Sequence, residues 1–92
     1  MNIELELLGA LARIAGSRSI RIEVADNATV RDVLSMVRGM QRGIEEYIVL
    51  SENRVSNVIV LVDGRDIGVL DGVETKLRDG SKVTLIPVVH GG

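Results

Sequence analysis

The amino-acid sequence predicts an α+β domain in which a mixed sheet wraps over one main helix. Three observations predict it. Residues alternate apolar and polar with period two near both ends of the chain. One stretch between them carries a helical apolar stripe with readable start and stop signals. Asp-Gly then recurs three times at eight-residue spacing, which reads as turns between short strands. The order strand, strand, helix, strand, short strand, strand suits a mixed sheet over a helix.

The first strand is expected over residues 3 to 7, with Ile3, Leu5 and Leu7 inward and Glu4 and Glu6 outward. Ser19–Val24 repeats the pattern through Ile20, Ile22 and Val24. A loose loop bounded by glycine, Gly9–Arg18, is expected between them. The helix starts at Thr29 as N-cap, with Asp32 at capping-box spacing. Its stripe is Val30, Val33, Leu34, Val37 and Met40, and Arg38, Arg42 and Gly43 mark its end. Ile44, Tyr47, Ile48 and Leu50 read as a half-buried turn or short strand. The continuous apolar run of residues 57–62 reads as a strand covered on both faces. The final strand spans about Lys82 to Pro87, with Val83 and Leu85 inward.

Composition removes whole classes of function. The 92 residues carry 11 basic and 13 acidic side chains, a net charge of −2, so phosphate is not attracted in general. Tyr47 is the one aromatic residue, too few for a base-stacking platform, and no nucleic-acid partner is expected. With no cysteine, disulfides, thiolate metal sites and cysteine nucleophiles drop out. No apolar stretch approaches the ~18 residues that cross a bilayer, so no membrane partner is expected. No signal peptide is visible at the start of the chain, and a cytoplasmic address is expected.

Catalytic constellations are equally scarce. His90 is the only histidine, so a nucleophilic triad would hang on a tail residue. The glycines match neither phosphate-loop pattern, and the Asp-Gly spacing does not match the nine-residue calcium repeat. Arg13, Arg18 and Arg21 could together hold an anion, although nine of the 11 basic residues are arginine and such a cluster arises by chance. No catalytic residue, metal or bound cofactor is expected, and the domain is not an enzyme by itself. What remains is Gly91-Gly92, which taken alone reads as an ordinary chain end and, in the other reading, has a chemical role. A carboxylate is a poor electrophile until joined to AMP, and an activating enzyme must draw it into a narrow site beside ATP. Glycine, without a Cβ, passes such a channel and takes almost any backbone angle.

The segment Val58-Ile59-Val60-Leu61-Val62-Asp63-Gly64-Arg65-Asp66-Ile67 resembles the strand and turn of ubiquitin-like sulfur carriers. So does Leu70-Asp71-Gly72-Val73-Glu74-Thr75-Lys76-Leu77-Arg78-Asp79-Gly80, leading into Val83-Thr84-Leu85-Ile86-Pro87 and the diglycine. Leu8–Gly16 and the helix start at Thr29–Leu34 fit as well. The chain is thus similar to the molybdopterin synthase small subunit, the thiamine sulfur carrier and the ubiquitin-related modifiers, and closest to the first. The tail departs from it, with Pro87 alone and then Val88-Val89-His90.

The resemblance implies a ubiquitin-like β-grasp domain over 1–87 and a flexible diglycine tail over 88–92. It implies adenylation of Gly92 by a ubiquitin-activating-type enzyme that consumes ATP, with Gly91 threading that enzyme's site. It implies a partner-facing side chain at Ile86. Conversion of Gly92 to a thiocarboxylate would serve sulfur transfer, foremost in molybdopterin synthesis, with the chain docked on the synthase large subunit. The alternative it implies is a protein modifier joined through Gly92 to lysines of target proteins, serving tRNA thiolation as well.

Overall fold

The computed structural model describes residues 1–88. Its strands are β1 (Asn2–Leu7), β2 (Ser19–Glu23), β3 (Val49–Leu50), β4 (Val55–Ser56), β5 (Val58–Val62), β6 (Arg65–Asp66) and β7 (Lys82–Pro87). The helices are α1 (Gly9–Ala15) and α2 (Val30–Arg38), with 3₁₀ turns at Ile44–Glu46, Ile67–Val69 and Gly72–Glu74. Five strands form the main sheet in the order β2-β1-β7-β5-β6, and β3 and β4 make a separate small hairpin. β7 runs parallel to β1 and antiparallel to β5. The first-arriving and last-arriving strands therefore pair at the sheet's centre.

The expected alternation holds where it decides the core. Ile3, Leu5, Leu7, Val83 and Leu85 are buried on the inner face, with Val58, Val60 and Val62 beside them. α2 lays Val30, Val33, Leu34 and Val37 across that face. Burying such side chains contributes about 1.5–3 kcal/mol each. Its start is the full capping box: the Asp32 N–H donates to Thr29 Oγ1, and the Thr29 N–H donates to Asp32 Oδ2.

Four expectations change. Gly9–Arg18 is not all loop, because residues 9–15 form α1, which buries Leu11 and ends at Gly16 in the left-handed region. α2 stops at Gly39 rather than Gly43, and Met40 is left 39% exposed. Bonds from the Gly39 and Met40 N–H groups to carbonyls three residues back tighten the last turn. The chain then swings round to bury Ile44 and Ile48 completely. The apolar run of β5 is covered on one face only, since Ile59 is 41% exposed. Lastly, only the first Asp-Gly joins two strands. Asp63 and Gly64 both take positive φ, as a two-residue hairpin turn requires. Asp71-Gly72 leads into a 3₁₀ turn, and Asp79-Gly80 instead grips the start of β1 through Asn2.

Two substitutions gauge these terms. Thr29→Ala removes the cap and is expected to lower unfolding free energy by about 1 kcal/mol. Leu85→Ala opens a cavity at the sheet's centre and is expected to lower it by about 2–5 kcal/mol. Urea titration checks both, with an unchanged slope in the Thr29 variant.

Candidate functional site

The outer face of the sheet and the point where the chain leaves it form the candidate site. β7 carries the tail, and its exit is held on both sides. The Leu8 N–H donates to the Leu85 carbonyl at 3.1 Å, and the Val88 N–H donates to the Asn57 carbonyl at 3.0 Å. Asn57 presents that carbonyl from a left-handed conformation, φ 71°, which asparagine tolerates better than most residues. Gly9, at φ +55°, lies so close to Pro87 that an added Cβ would meet its Cγ at 3.3 Å. The root of the tail is thus wedged between the start of α1 and the turn before β5.

Cross-strand register sorts the outer face into two halves. Ile86 faces Ile59, and Thr84 faces Leu61, so an apolar strip runs over β7 and β5 next to the exit. Ile86 and Leu61 are half-buried. Beside Ile59 opens a groove of about 300 Å³, lined in part by Arg54, Val55, Asp66 and Ile67. Towards β1 the face turns polar. Thr84 Oγ1 donates to Glu6 Oε1 at 3.0 Å, and Lys82 Nζ pairs with Glu6 Oε2 at 3.4 Å. Both oxygens of that carboxylate are engaged, which suits a half-buried acid.

Ile86 therefore sits on the outer face beside the exit, while Val83 and Leu85 belong to the core. Gly91, Gly92 and His90 lie outside the described residues. Arg13, Arg18 and Arg21 are exposed and belong to α1, the loop before β2 and β2 itself. Arg21 lines a cleft with Glu4 and Asp79, whose carboxylates disfavour an anion there. Among the described residues, no three His, Cys, Asp or Glu side chains gather as a metal site would need, and no helix is long and apolar enough to cross a membrane. Sequence reasoning missed Ile59, Leu61, Gly9 and Asn57. An all-apolar strand conceals which side is bare, whereas Gly9 just after the first strand and an Asn ahead of a strand are visible turn signals.

A mixed sheet gripping one main helix, with the tail-bearing strand at its centre, defines a ubiquitin-like β-grasp protein. The chain belongs to the ThiS family, whose model matches residues 5–92. It is 35% identical to small archaeal modifier protein 3 of Haloferax volcanii over 92 residues, the whole of both chains. It is 29% identical over 69 residues to a putative sulfur carrier protein of Archaeoglobus fulgidus, covering 74% of this chain and 78% of that one. Its fold superposes on the crystal structure of SAMP1 from Haloferax volcanii with a TM-score of 0.81, 28% identity and full coverage of both chains.

Gly9→Ala tests the wedge. The left-handed backbone and the Pro87 contact together are expected to cost about 1–2 kcal/mol. Amide chemical shifts of Leu85 and Val88 should move with it, whereas those of β6 should not.

Proposed function

We propose that the chain is a sulfur carrier whose terminal Gly92 is activated and converted to a thiocarboxylate. The observation that carries this reading is the family match running through residue 92, on a chain whose tail leaves the sheet's central strand beside an apolar strip. A carboxylate oxygen of Gly92 attacks the α-phosphorus of ATP, pyrophosphate leaves, and an acyl adenylate forms. Hydrosulfide from a sulfur donor then attacks the acyl carbon; the C–S bond forms, the C–O bond to AMP breaks, AMP departs, and the thioacid loses its proton to leave the thiocarboxylate. The activating partner supplies this catalysis. The domain supplies the substrate carboxylate, with Gly91 offering no side chain to obstruct it.

The apolar strip gives that partner something to hold. Ile86, Ile59 and Leu61 present a surface at the base of the tail, so docking there aims the tail at the partner's active site. For the destination we propose molybdopterin synthesis, with the same strip seated on the synthase large subunit. The Val58–Ile67 and Leu70–Gly80 segments, which resemble ubiquitin-like sulfur carriers, support the carrier chemistry on which that destination rests.

A second reading is supported by the 35% identity to a modifier protein. The acyl adenylate would then pass, directly or through an enzyme thioester, to the amine of a target lysine. The chain has two lysines of its own, Lys76 and Lys82. Lys82 is tied to Glu6, whereas Lys76 is exposed and its ammonium makes no ion pair among the described residues.

Intact mass after incubation with ATP, the activating enzyme and a sulfur donor is expected to rise by about 16 Da, one oxygen replaced by sulfur. Unchanged mass with an enzyme that still releases pyrophosphate would favour the modifier reading. Conjugation would then leave the tryptic remnant 83–92 on lysines of other proteins, and on Lys76 rather than Lys82 where the chain modifies itself. Ile86→Asp is expected to keep the fold and weaken binding to the activating enzyme at least about tenfold, measured by calorimetry.

A further inference from the structure

The main sheet has an open edge along β2, and its residues are arranged to pair with themselves. The hydrogen-bond parity is set at both ends of the strand. Val24 exchanges bonds with Met1, its N–H donating at 2.9 Å and its carbonyl accepting at 2.7 Å. At the other end the Leu7 N–H donates to the Arg18 carbonyl at 2.8 Å. The register between is unbroken, from Asn2 facing Glu23 to Glu6 facing Ser19. Even-numbered residues therefore turn their N–H and C=O towards β1, and odd-numbered residues turn theirs outward. Ser19 has both outward groups bonded to the Ser17 hydroxyl. Among the described residues, those of Arg21 and Glu23 make no bond.

The side chains match this parity. Arg21 and Glu23 are exposed, and neither makes a side-chain hydrogen bond or ion pair among the described residues. Ile20, Ile22 and Val24 on the inner side are only partly buried against the core. The edge has no proline, bulge or lysine to discourage pairing.

We infer that β2 pairs antiparallel with β2 of a second copy of this chain, about a two-fold axis at Ile22. In that register Arg21 of each copy faces Glu23 of the other, and Ile20 faces Val24. The two Arg21–Glu23 pairs are then hydrogen-bonded pairs, so the free N–H and C=O groups of both residues find partners. Opposite charges meet across the strands on the outer face, and apolar side chains meet on the inner face. Shifting the strands so that the axis falls on Arg21 sets arginine against arginine, and shifting by one residue sets apolar against charged. The charge pattern thus selects one register. β1 separates β2 from the tail-bearing β7, so the dimer leaves the Ile86 strip uncovered. A five-residue edge is a small interface, and the dimer it makes is a weak one.

Sedimentation equilibrium of the full chain is expected to show mass rising towards that of a dimer as concentration approaches about 1 mM. Amide exchange at Arg21 and Glu23 should slow over the same range, while Ile20 and Ile22, already bonded to β1, stay unchanged. Arg21→Glu and Glu23→Arg should each lose the dimer, and either an equimolar mixture of the two or the double swap R21E/E23R should regain it. Circular dichroism checks that these surface variants fold. A wild-type chain monomeric at that concentration would overturn the inference, as would single variants that dimerise like the wild type or a double swap that fails to recover. Protection of Arg21 and Glu23 that appears only when a foreign extended peptide is added would assign the edge to a different partner and overturn it too.

Discussion

Everything in this molecule depends on β7 lying between β1 and β5. Its inward residues Val83 and Leu85 are wholly buried, and α2 packs on the face they share with Leu5 and Leu7. Its outward residues Ile86 and Thr84 divide the opposite face into an apolar and a polar half. One strand thereby closes the core, shapes the candidate docking surface and launches the tail. The activation proposed above takes place on the tail, so how the tail is attached to the domain matters to it. Rooting the tail in the central strand rather than an edge gives a partner a fixed point from which to receive it.

The division of the outer face follows from elementary electrostatics. Glu6 uses both carboxylate oxygens on β7, one for Thr84 and one for Lys82, so its charge is compensated beside an otherwise apolar strip. Away from the sheet, Arg31 reaches Glu74 at 2.8 Å and also donates to the Ser51 and Glu52 carbonyls. That side chain ties α2 to the loop of the β3–β4 hairpin and to the Gly72–Glu74 turn. Such exposed ion pairs contribute little to stability individually. Their effect is to hold connecting segments against the helix.

What was legible in the sequence, and what was not, has a physical division. Local signals carried through: the Thr29–Asp32 cap, the alternation in β1 and β7, and the Asp63-Gly64 turn are each decided by neighbouring residues. α1 was missed because seven residues are too few to show a period, and it has no side-chain N-cap; its Leu11 is buried by distant strands. The bare face of β5 was missed because Val58–Val62 is apolar throughout, so no alternation distinguishes Ile59 from Val60. At the site, Ile86 was singled out by the resemblance and by its alternation with Val83 and Leu85, while Gly91 and Gly92 lie outside the described residues. Gly9 and Asn57, which hold the tail's root, became meaningful only when β1, β5 and β7 came together.

The parallel pairing of β1 with β7 also has a kinetic consequence. The Glu6–Thr84 hydrogen bond joins residues 78 apart in sequence, so closing the sheet's centre closes a loop of nearly the whole chain. Chains with such distant contacts cross their folding barrier slowly compared with helical bundles of similar size. β1, α1 and β2 can associate locally, whereas β7 completes its pairing only when both β1 and β5 are in place. The same late step that completes the hydrophobic core creates the tail's anchorage. A partly folded chain therefore lacks the assembled face at the tail's base, and a partner that reads this face is matched to fully folded copies.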